Sequence, residues 1–242
     1  MIKKTAVIIG ASSEIGLETA KRFVKEGYSL ALTYNKTKVD FAKKLGTDDF
    51  KAYKLDLNAP KDIRLTLTQI AEDFKSLDCL VYCAGVAQKR ALILDTTDEE
   101  IDTLFEVNIK SAIKCVRDFA GKVVNRNPAS IVLVGSFVEK NGCSCESVYT
   151  ATKGALTALC KSLATEFGNL QIRINVVAPG FIDTKMNNNL KKDEKEEIAN
   201  MTPLQRLGKT DDVANTIFFL ASEQSSFVTG QTIYVDGGLI LE

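Results

Sequence analysis

The sequence predicts an α/β domain of the doubly wound kind, one mainly parallel sheet with helices on both faces. Three observations support this. Short, almost wholly apolar runs alternate with longer segments of helical periodicity, the pattern of strands buried on both faces and joined by crossover helices. The first run ends in a glycine-bearing turn, GASSEIG at residues 10–16, which opens directly into a periodic segment. That is the arrangement of a phosphate-binding βα unit. Finally, 242 residues with 45 % apolar content and no internal repeat or linker fit a single domain, 1–242, with a sizeable core.

Residues 5–9 (TAVII) are the first strand and residues 17–27 the first helix. A second strand follows at 29–34 (SLALTY), a short helix at 36–45 and a third strand at 51–57 (KAYKLDL). A helix then runs to about Lys75, entered through Asn58 and Pro60 as cap and first-turn residue. Residues 77–83 (LDCLVYC) form the fourth strand, broken at Ala84-Gly85. One long helix is expected over 98–127, with Thr97 as its cap and Asn108 at its middle. Asparagine is unfavourable there because its amide competes for backbone hydrogen bonds, and exposure on the solvent face is the simplest accommodation.

The fifth strand, 129–134 (ASIVLV), delivers Gly135 and Ser136 at its C-terminal end, where open α/β sheets bind ligands. A helix bearing Tyr149 and Lys153 continues to Gly168, and Ala151, Gly154, Ala155 and Ala158 are small enough for close packing. Residues 171–177 (QIRINVV) are the sixth strand, interrupted by Pro179-Gly180. The polar, charged stretch at about 181–202 reads as a substrate lid, with a plain surface helix as the alternative. A helix at 211–221, a strand at 232–235 and the turn Asp236-Gly237-Gly238 complete the chain.

Composition narrows the function. Lys+Arg and Asp+Glu both number 31, so the basic surplus of a nucleic-acid binder or a polybasic membrane-surface protein is missing. No signal peptide and no apolar stretch of about 20 residues is visible, and a cytoplasmic location is expected. Six scattered cysteines give neither a disulfide framework nor zinc-site spacing, so free thiols and no metal are expected. Histidine is absent, which excludes Ser-His-Asp and Cys-His mechanisms.

What remains for proton transfer is the segment at 135–153. Tyr149 and Lys153 lie four apart, on one helical face. Taken alone, such a pair is usually a surface feature. A fixed cation beside a phenol nevertheless favours the phenolate and lowers a pKa that is ordinarily about 10.

With these elements in order, the chain resembles the short-chain dehydrogenase/reductase family over essentially its whole length. The matching features are the turn from Gly10 to Gly16, Asp56-Leu57, Ala84-Gly85, Asn108, Ser136, Tyr149-x3-Lys153, Pro179-Gly180 with Asp183-Thr184, and the terminal GQTIYVDGG. PGFIDTKM, PLQRLGKTDDVA and the ending VDGG look most like the β-ketoacyl-acyl-carrier-protein reductases of fatty-acid synthesis.

The resemblance implies a Rossmann fold with seven strands in the order 3-2-1-4-5-6-7, and a homotetramer. It implies Tyr149 as general acid toward a carbonyl oxygen, Ser136 holding that oxygen by a hydrogen bond, and Lys153 binding the nicotinamide ribose while depressing the tyrosine pKa. Asn108 would hold a water of a proton relay from Lys153. The nicotinamide dinucleotide would contact Gly10, Ser12, Ser13, Ile15 and Gly16 in the turn, and Asn35, Lys36, Asp56 and Leu57 at the adenosine end. Ala84, Gly85, Tyr149, Lys153, Pro179, Gly180, Ile182 and Thr184 would complete its contacts.

The second strand ends in Tyr34-Asn35-Lys36-Thr37-Lys38, with two lysines and no carboxylate to repel a 2′-phosphate, which favours NADP over NAD. Three departures concern binding. Glu14 stands where the family's turn has its middle glycine, and it should weaken dinucleotide binding unless it points to solvent or pairs with a lysine. Cys83 replaces the asparagine of an Asn-Ala-Gly element. Ser13 stands where NADP-using members often carry arginine. The expected reaction is NADPH-dependent reduction of a 3-oxoacyl thioester, with Lys114, Arg117, Lys122 and Arg126 as a basic rim for an acidic carrier protein. The alternatives are the same chemistry on an acyl-CoA, ketone, alcohol or sugar, or a dinucleotide-binding protein without turnover.

Overall fold

Seven parallel strands form the single sheet of the computed structural model, which describes residues 3–37, 39–124, 128–187 and 190–240. They are β1 (Thr5–Ile9), β2 (Ser29–Tyr34), β3 (Phe50–Lys54), β4 (Cys79–Tyr82), β5 (Ala129–Val134), β6 (Ile172–Pro179) and β7 (Thr232–Val235), in the order 3-2-1-4-5-6-7. The third and fourth strands are shorter than expected. Asp56 Oδ1 accepts the Asn58 N–H at 3.0 Å, which curls the chain away beyond β3.

Side chains alternate between two cores, as a strand period of two requires. Val7 and Ile9 of β1 belong to the core beneath α3 (Pro60–Asp73), α5 (Ser111–Val123) and α7 (Ser147–Phe167). Ala6 and Ile8 face the core beneath α1 (Glu14–Lys25), α2 (Phe41–Leu45) and α9 (Thr210–Ala221). Both faces of β1 are fully buried, which explains its unbroken apolar sequence.

The short helix begins at Phe41 rather than at Lys36, because the Asp40 carboxylate accepts the Lys43 N–H and starts it there. Helix α3 ends at Asp73, and its N-cap is Ala59, not Asn58. Thr97 does cap α4 (Asp98–Phe105), its hydroxyl accepting the Glu100 N–H at 3.2 Å. The long helix predicted over 98–127 is interrupted: a π-helical turn, Glu106–Lys110, joins α4 to α5. Asn127, Arg126 and Lys38 lie outside the described residues.

Helix α6 (Val138–Asn141), α8 (Lys192–Met201) and 3₁₀ turns at Ile93–Asp95, Gly168–Leu170, Lys185–Asn187 and Glu223–Ser225 are the remaining helical elements among the described residues. Ala151 and Ala158 are exposed on α7 instead of packing inward. No helix among the described residues is long and apolar enough to cross a membrane.

Strand order reverses between β1 and β4, the position at which such sheets open a crevice beyond their C-terminal ends. Gly10, Cys83 to Gly85, Ser136 and Gly180 follow the ends of β1, β4, β5 and β6, and so converge on that crevice.

Candidate active site

A cleft of about 800 Å³ occupies the crevice, running from the turn at Ser12 and Ser13 past Ala84 and Gly85 to Ser136, Tyr149 and Lys153, and out to Pro179, Gly180, Ile182 and Thr184. Its floor at one end is the first turn. Gly10 has φ +80°, and a Cβ there would lie 2.8 Å from the Ala84 amide nitrogen. A Cβ on Gly16 would lie 2.4 Å from the Gly10 carbonyl oxygen, so neither position admits a side chain without opening the turn.

Ser13 caps α1, accepting the Gly16 N–H at 3.0 Å and donating to the Gly10 carbonyl at 2.8 Å. The first-turn amides of Glu14 and Ile15 have no helical acceptor and carry the positive end of the helix dipole. A tight, side-chain-free cradle at a helix N-terminus fits a pyrophosphate.

Glu14 is exposed, and its carboxylate takes a backbone partner rather than a lysine side chain. Its Oε2 accepts the backbone N–H of Lys185 at 2.6 Å, tying the turn to the first residue of the 3₁₀ segment across the cleft. Cys83 also lines the cleft. Burial pushes its thiol up to about 12, so it is a neutral thiol there. All six cysteines are free. Among the described residues no group of three His, Cys, Asp or Glu could hold a metal.

At the adenosine end, the Asn35 amide donates to Asp56 Oδ1 at 3.3 Å, joining the ends of β2 and β3. Lys36 is exposed and Leu57 buried. Asn35, Lys36, Asp56 and Leu57 do not line the cleft, whereas Thr37 does.

At the other end, Lys153 is 4 % exposed, and its Nζ donates to the Val134 carbonyl at 2.9 Å. Desolvation lowers its pKa to about 8. Its Nζ lies 5.5 Å from the centroid of the Tyr149 ring. Ser136, close to the phenol, is itself buried.

The tyrosine pKa is the main correction to the sequence reading. Burial pushes it up to about 12, and Glu146 adds to the rise, while only the neighbouring Ser136 opposes it. The Lys153 ammonium, which donates to the Val134 carbonyl, is not among the groups that lower it. The phenol is therefore protonated at neutral pH, the form that can donate.

Asn108 is fully buried in the π-helical turn, not on a solvent face. Its Oδ1 accepts the Val86 N–H at 2.8 Å, and its Nδ2 donates to the Val86 carbonyl at 3.0 Å and to Thr152 Oγ1 at 3.1 Å. Both amide hydrogens are thus spent on protein groups. Asn108 Oδ1 and Lys153 Nζ each lie 3.4 Å from the point where a Gly85 Cβ would stand, so one small space separates them. Absence of a side chain at Gly85 keeps that space open.

Two features went unread in the sequence. The π-helical turn was hidden because its residues keep a helical pattern, with the buried asparagine as the one sign. Gln88 was passed over altogether. It is 5 % exposed, lines the cleft, and its Oε1 accepts the N–H groups of Val148 and Tyr149 at 3.1 and 3.0 Å. Of the basic rim residues, Lys114 pairs with Glu106 at 2.5 Å and Arg117 with Asp118 at 2.7 Å, whereas Lys122 is half-buried.

Comparison with known proteins decides the family. A family profile described as enoyl-(acyl carrier protein) reductase matches residues 10–240. The 3-oxoacyl-(acyl-carrier-protein) reductase FabG of Staphylococcus aureus is 32 % identical, with 98 % of both chains covered. The chain belongs to the short-chain dehydrogenase/reductase family. It is an NAD(P)-dependent oxidoreductase of that family. Carbonyl reductase family member 4 of Xenopus laevis is 33 % identical, with 99 % of each chain covered. Among solved structures, ElxO with NADP bound superposes with a TM-score of 0.92 at 29 % identity, covering 98 % of this chain and 99 % of that one.

Proposed function

We propose that this short-chain dehydrogenase/reductase reduces a 3-oxoacyl thioester, presented on acyl carrier protein, to the 3-hydroxyacyl product of fatty-acid synthesis, with NADPH. One observation supports this reading above the others. A protonated, half-buried Tyr149 stands between a buried Ser136 and a buried Lys153, in a cleft continuous with a dinucleotide-type turn. The chain has no histidine to offer instead.

When bound, the nicotinamide supplies the hydride that reduces the carbonyl carbon. Tyr149 gives its phenolic proton to the carbonyl oxygen, so hydride and proton add across the C=O bond. Ser136 donates a hydrogen bond to that oxygen and aligns it with the phenol. Lys153, little of it deprotonated at pH 7, binds the ribose and returns a proton to Tyr149 through the space between its Nζ and Asn108 Oδ1. Gly10, Ser12, Ser13, Ile15 and Gly16 cradle the pyrophosphate. Ala84, Gly85, Pro179, Gly180, Ile182 and Thr184 flank the nicotinamide side, and Asn35, Asp56 and Leu57 shape the adenosine end.

NADP is favoured over NAD because β2 ends without a carboxylate and Lys36 is exposed beside Thr37 of the cleft; the NADP-bound ElxO relative agrees. Residues 181–202 act as a lid. Assembly as a homotetramer accords with the exposed Ala151 and Ala158 on α7. A second reading, the same chemistry on an acyl-CoA or a simple ketone, is favoured by the carboxylate partners of Lys114 and Arg117, which blunt the basic rim. Turnover of acetoacetyl-carrier-protein, acetoacetyl-CoA and ethyl acetoacetate with NADPH and NADH separates the readings. A kcat/KM highest for the carrier-bound thioester with NADPH supports the first, and a preference for the free ketone replaces it with the second.

A further inference from the structure

The helix that carries Tyr149 begins without a cap of its own. Its N-cap residue, Glu146, makes no side-chain capping bond, yet the second and third amides of α7 belong to Val148 and Tyr149, the positions an N-cap side chain normally satisfies. Both amides are answered from another element. Gln88, on the loop after β4, places Oε1 at 3.1 Å from the Val148 nitrogen and 3.0 Å from the Tyr149 nitrogen. Only an oxygen can accept two N–H groups, so the orientation of this amide is determined. Its Nε2 donates to Thr96 Oγ1 at 3.3 Å, which holds the side chain from behind.

Tyr149 is gripped at its other peptide group as well. Thr152 Oγ1 donates to the Tyr149 carbonyl at 2.7 Å and accepts from Asn108 Nδ2 at 3.1 Å. Asn108 also pins Val86, two residues before Gln88, by both its N–H and its carbonyl. The N–H and the C=O of Tyr149 are therefore both tied, through Gln88 and Thr152, to one network that closes through the β4 loop.

We infer that Gln88 is a positioning residue for catalysis: it caps the catalytic helix from a distance and sets where the Tyr149 phenol stands relative to Ser136. The inference rests on Tyr149 acting as the proton donor. Loss of the cap leaves the buried Val148 N–H and the part-buried Tyr149 N–H unsatisfied and lets the first turn of α7 fray, and a displacement of about 1 Å at a reacting group costs about 100-fold in rate.

The test compares wild type, Gln88→Leu and Gln88→Glu. Leucine keeps much of the volume and removes the acceptor, whereas glutamate keeps an acceptor for both amides and adds a charge near the phenol. For Gln88→Leu, kcat is expected to fall about 100-fold with NADPH affinity held within about twofold, since the dinucleotide cradle is elsewhere. Gln88→Glu should restore kcat to within about fivefold and shift the high-pH limb of its profile upward, because a like charge raises the phenol pKa. Amide hydrogen exchange over residues 147–153 reads the same tie without substrate. It should quicken in Gln88→Leu and return in Gln88→Glu. Unchanged exchange in Gln88→Leu, or kcat within threefold of wild type, overturns the inference, as does a Gln88→Glu protein that folds but is as impaired as Gln88→Leu. If Gln88→Leu does not fold, the rescue and pH shift in Gln88→Glu decide. A wild-type protein inactive on every carbonyl instead removes the proposed function, and the exchange experiment still decides whether Gln88 holds the Tyr149 turn.

Discussion

Replacing Lys153 by methionine should abolish turnover and yet stabilise the cofactor-free protein at neutral pH. The ammonium is buried, and desolvation is the main cause of its fall from 10.5 to about 8. At about 1.4 kcal/mol per pKa unit, that gap corresponds to about 3 kcal/mol. Below pH 8 the folded and unfolded chains both hold the proton, and the folded state bears the whole cost. Between pH 8 and 10.5 the unfolded chain still holds a proton that the folded chain has released, so wild-type stability rises with pH relative to the variant. The variant also loses the 2.9 Å hydrogen bond to the Val134 carbonyl, which subtracts about 1 kcal/mol. Gly85 and Asn108 are retained, so the methionine chain has the same space to occupy. The net expectation is a variant more stable by about 2 kcal/mol at pH 7, with the advantage gone by about pH 10. Urea unfolding of both proteins at one concentration, across pH 6.5 to about 10, measures it. The buried thiols and tyrosines that also titrate at high pH cancel in the difference. A variant less stable than wild type at pH 7, or a difference independent of pH, would refute the reasoning.

Tyr149→Phe should remove turnover while NADPH affinity stays within about threefold, because only the proton donor is deleted; fluorescence titration and a rate assay read the two separately, and near-normal turnover would exclude the assigned role. Gly16→Ala forces a Cβ to within 2.4 Å of the Gly10 carbonyl and so must open the turn. NADPH affinity should fall at least about tenfold, and an unchanged dissociation constant would show that the cradle lies elsewhere. Glu14→Ala deletes the carboxylate bonded to the Lys185 N–H. At this exposed site the bond contributes about 1 kcal/mol, so the 181–202 segment should exchange amide hydrogen about fivefold faster, with no change if Glu14 were merely a misplaced charge.

The strands were legible because burial on both faces leaves almost no choice of residue, as in TAVII, SLALTY and ASIVLV. Element ends were less so: what stops β3 is an Asp56–Asn58 turn, and what starts α2 is the Asp40 carboxylate, both local hydrogen bonds rather than changes of pattern. The association of Ser136, Tyr149 and Lys153 could be read from spacing and from the lack of histidine. Their electrostatics could not, because the direction of the Lys153 ammonium depends on a carbonyl of β5 brought near only by folding. Gln88 escaped for the same reason, since it acts on amides 60 residues away in sequence. Glu14 looked like a defect in the turn until the structure supplied its partner across the cleft.

The central claim is that this chain moves hydride and proton onto the carbonyl of a 3-oxoacyl thioester. It is tested most directly by following NADPH consumption with acetoacetyl-carrier-protein while identifying the product, with Tyr149→Phe alongside. The account predicts one 3-hydroxybutyryl thioester formed per NADPH oxidised by wild type and none by the variant. Wild-type protein that binds NADPH yet leaves the thioester unreduced, while reducing a simple ketone or a sugar, would contradict it.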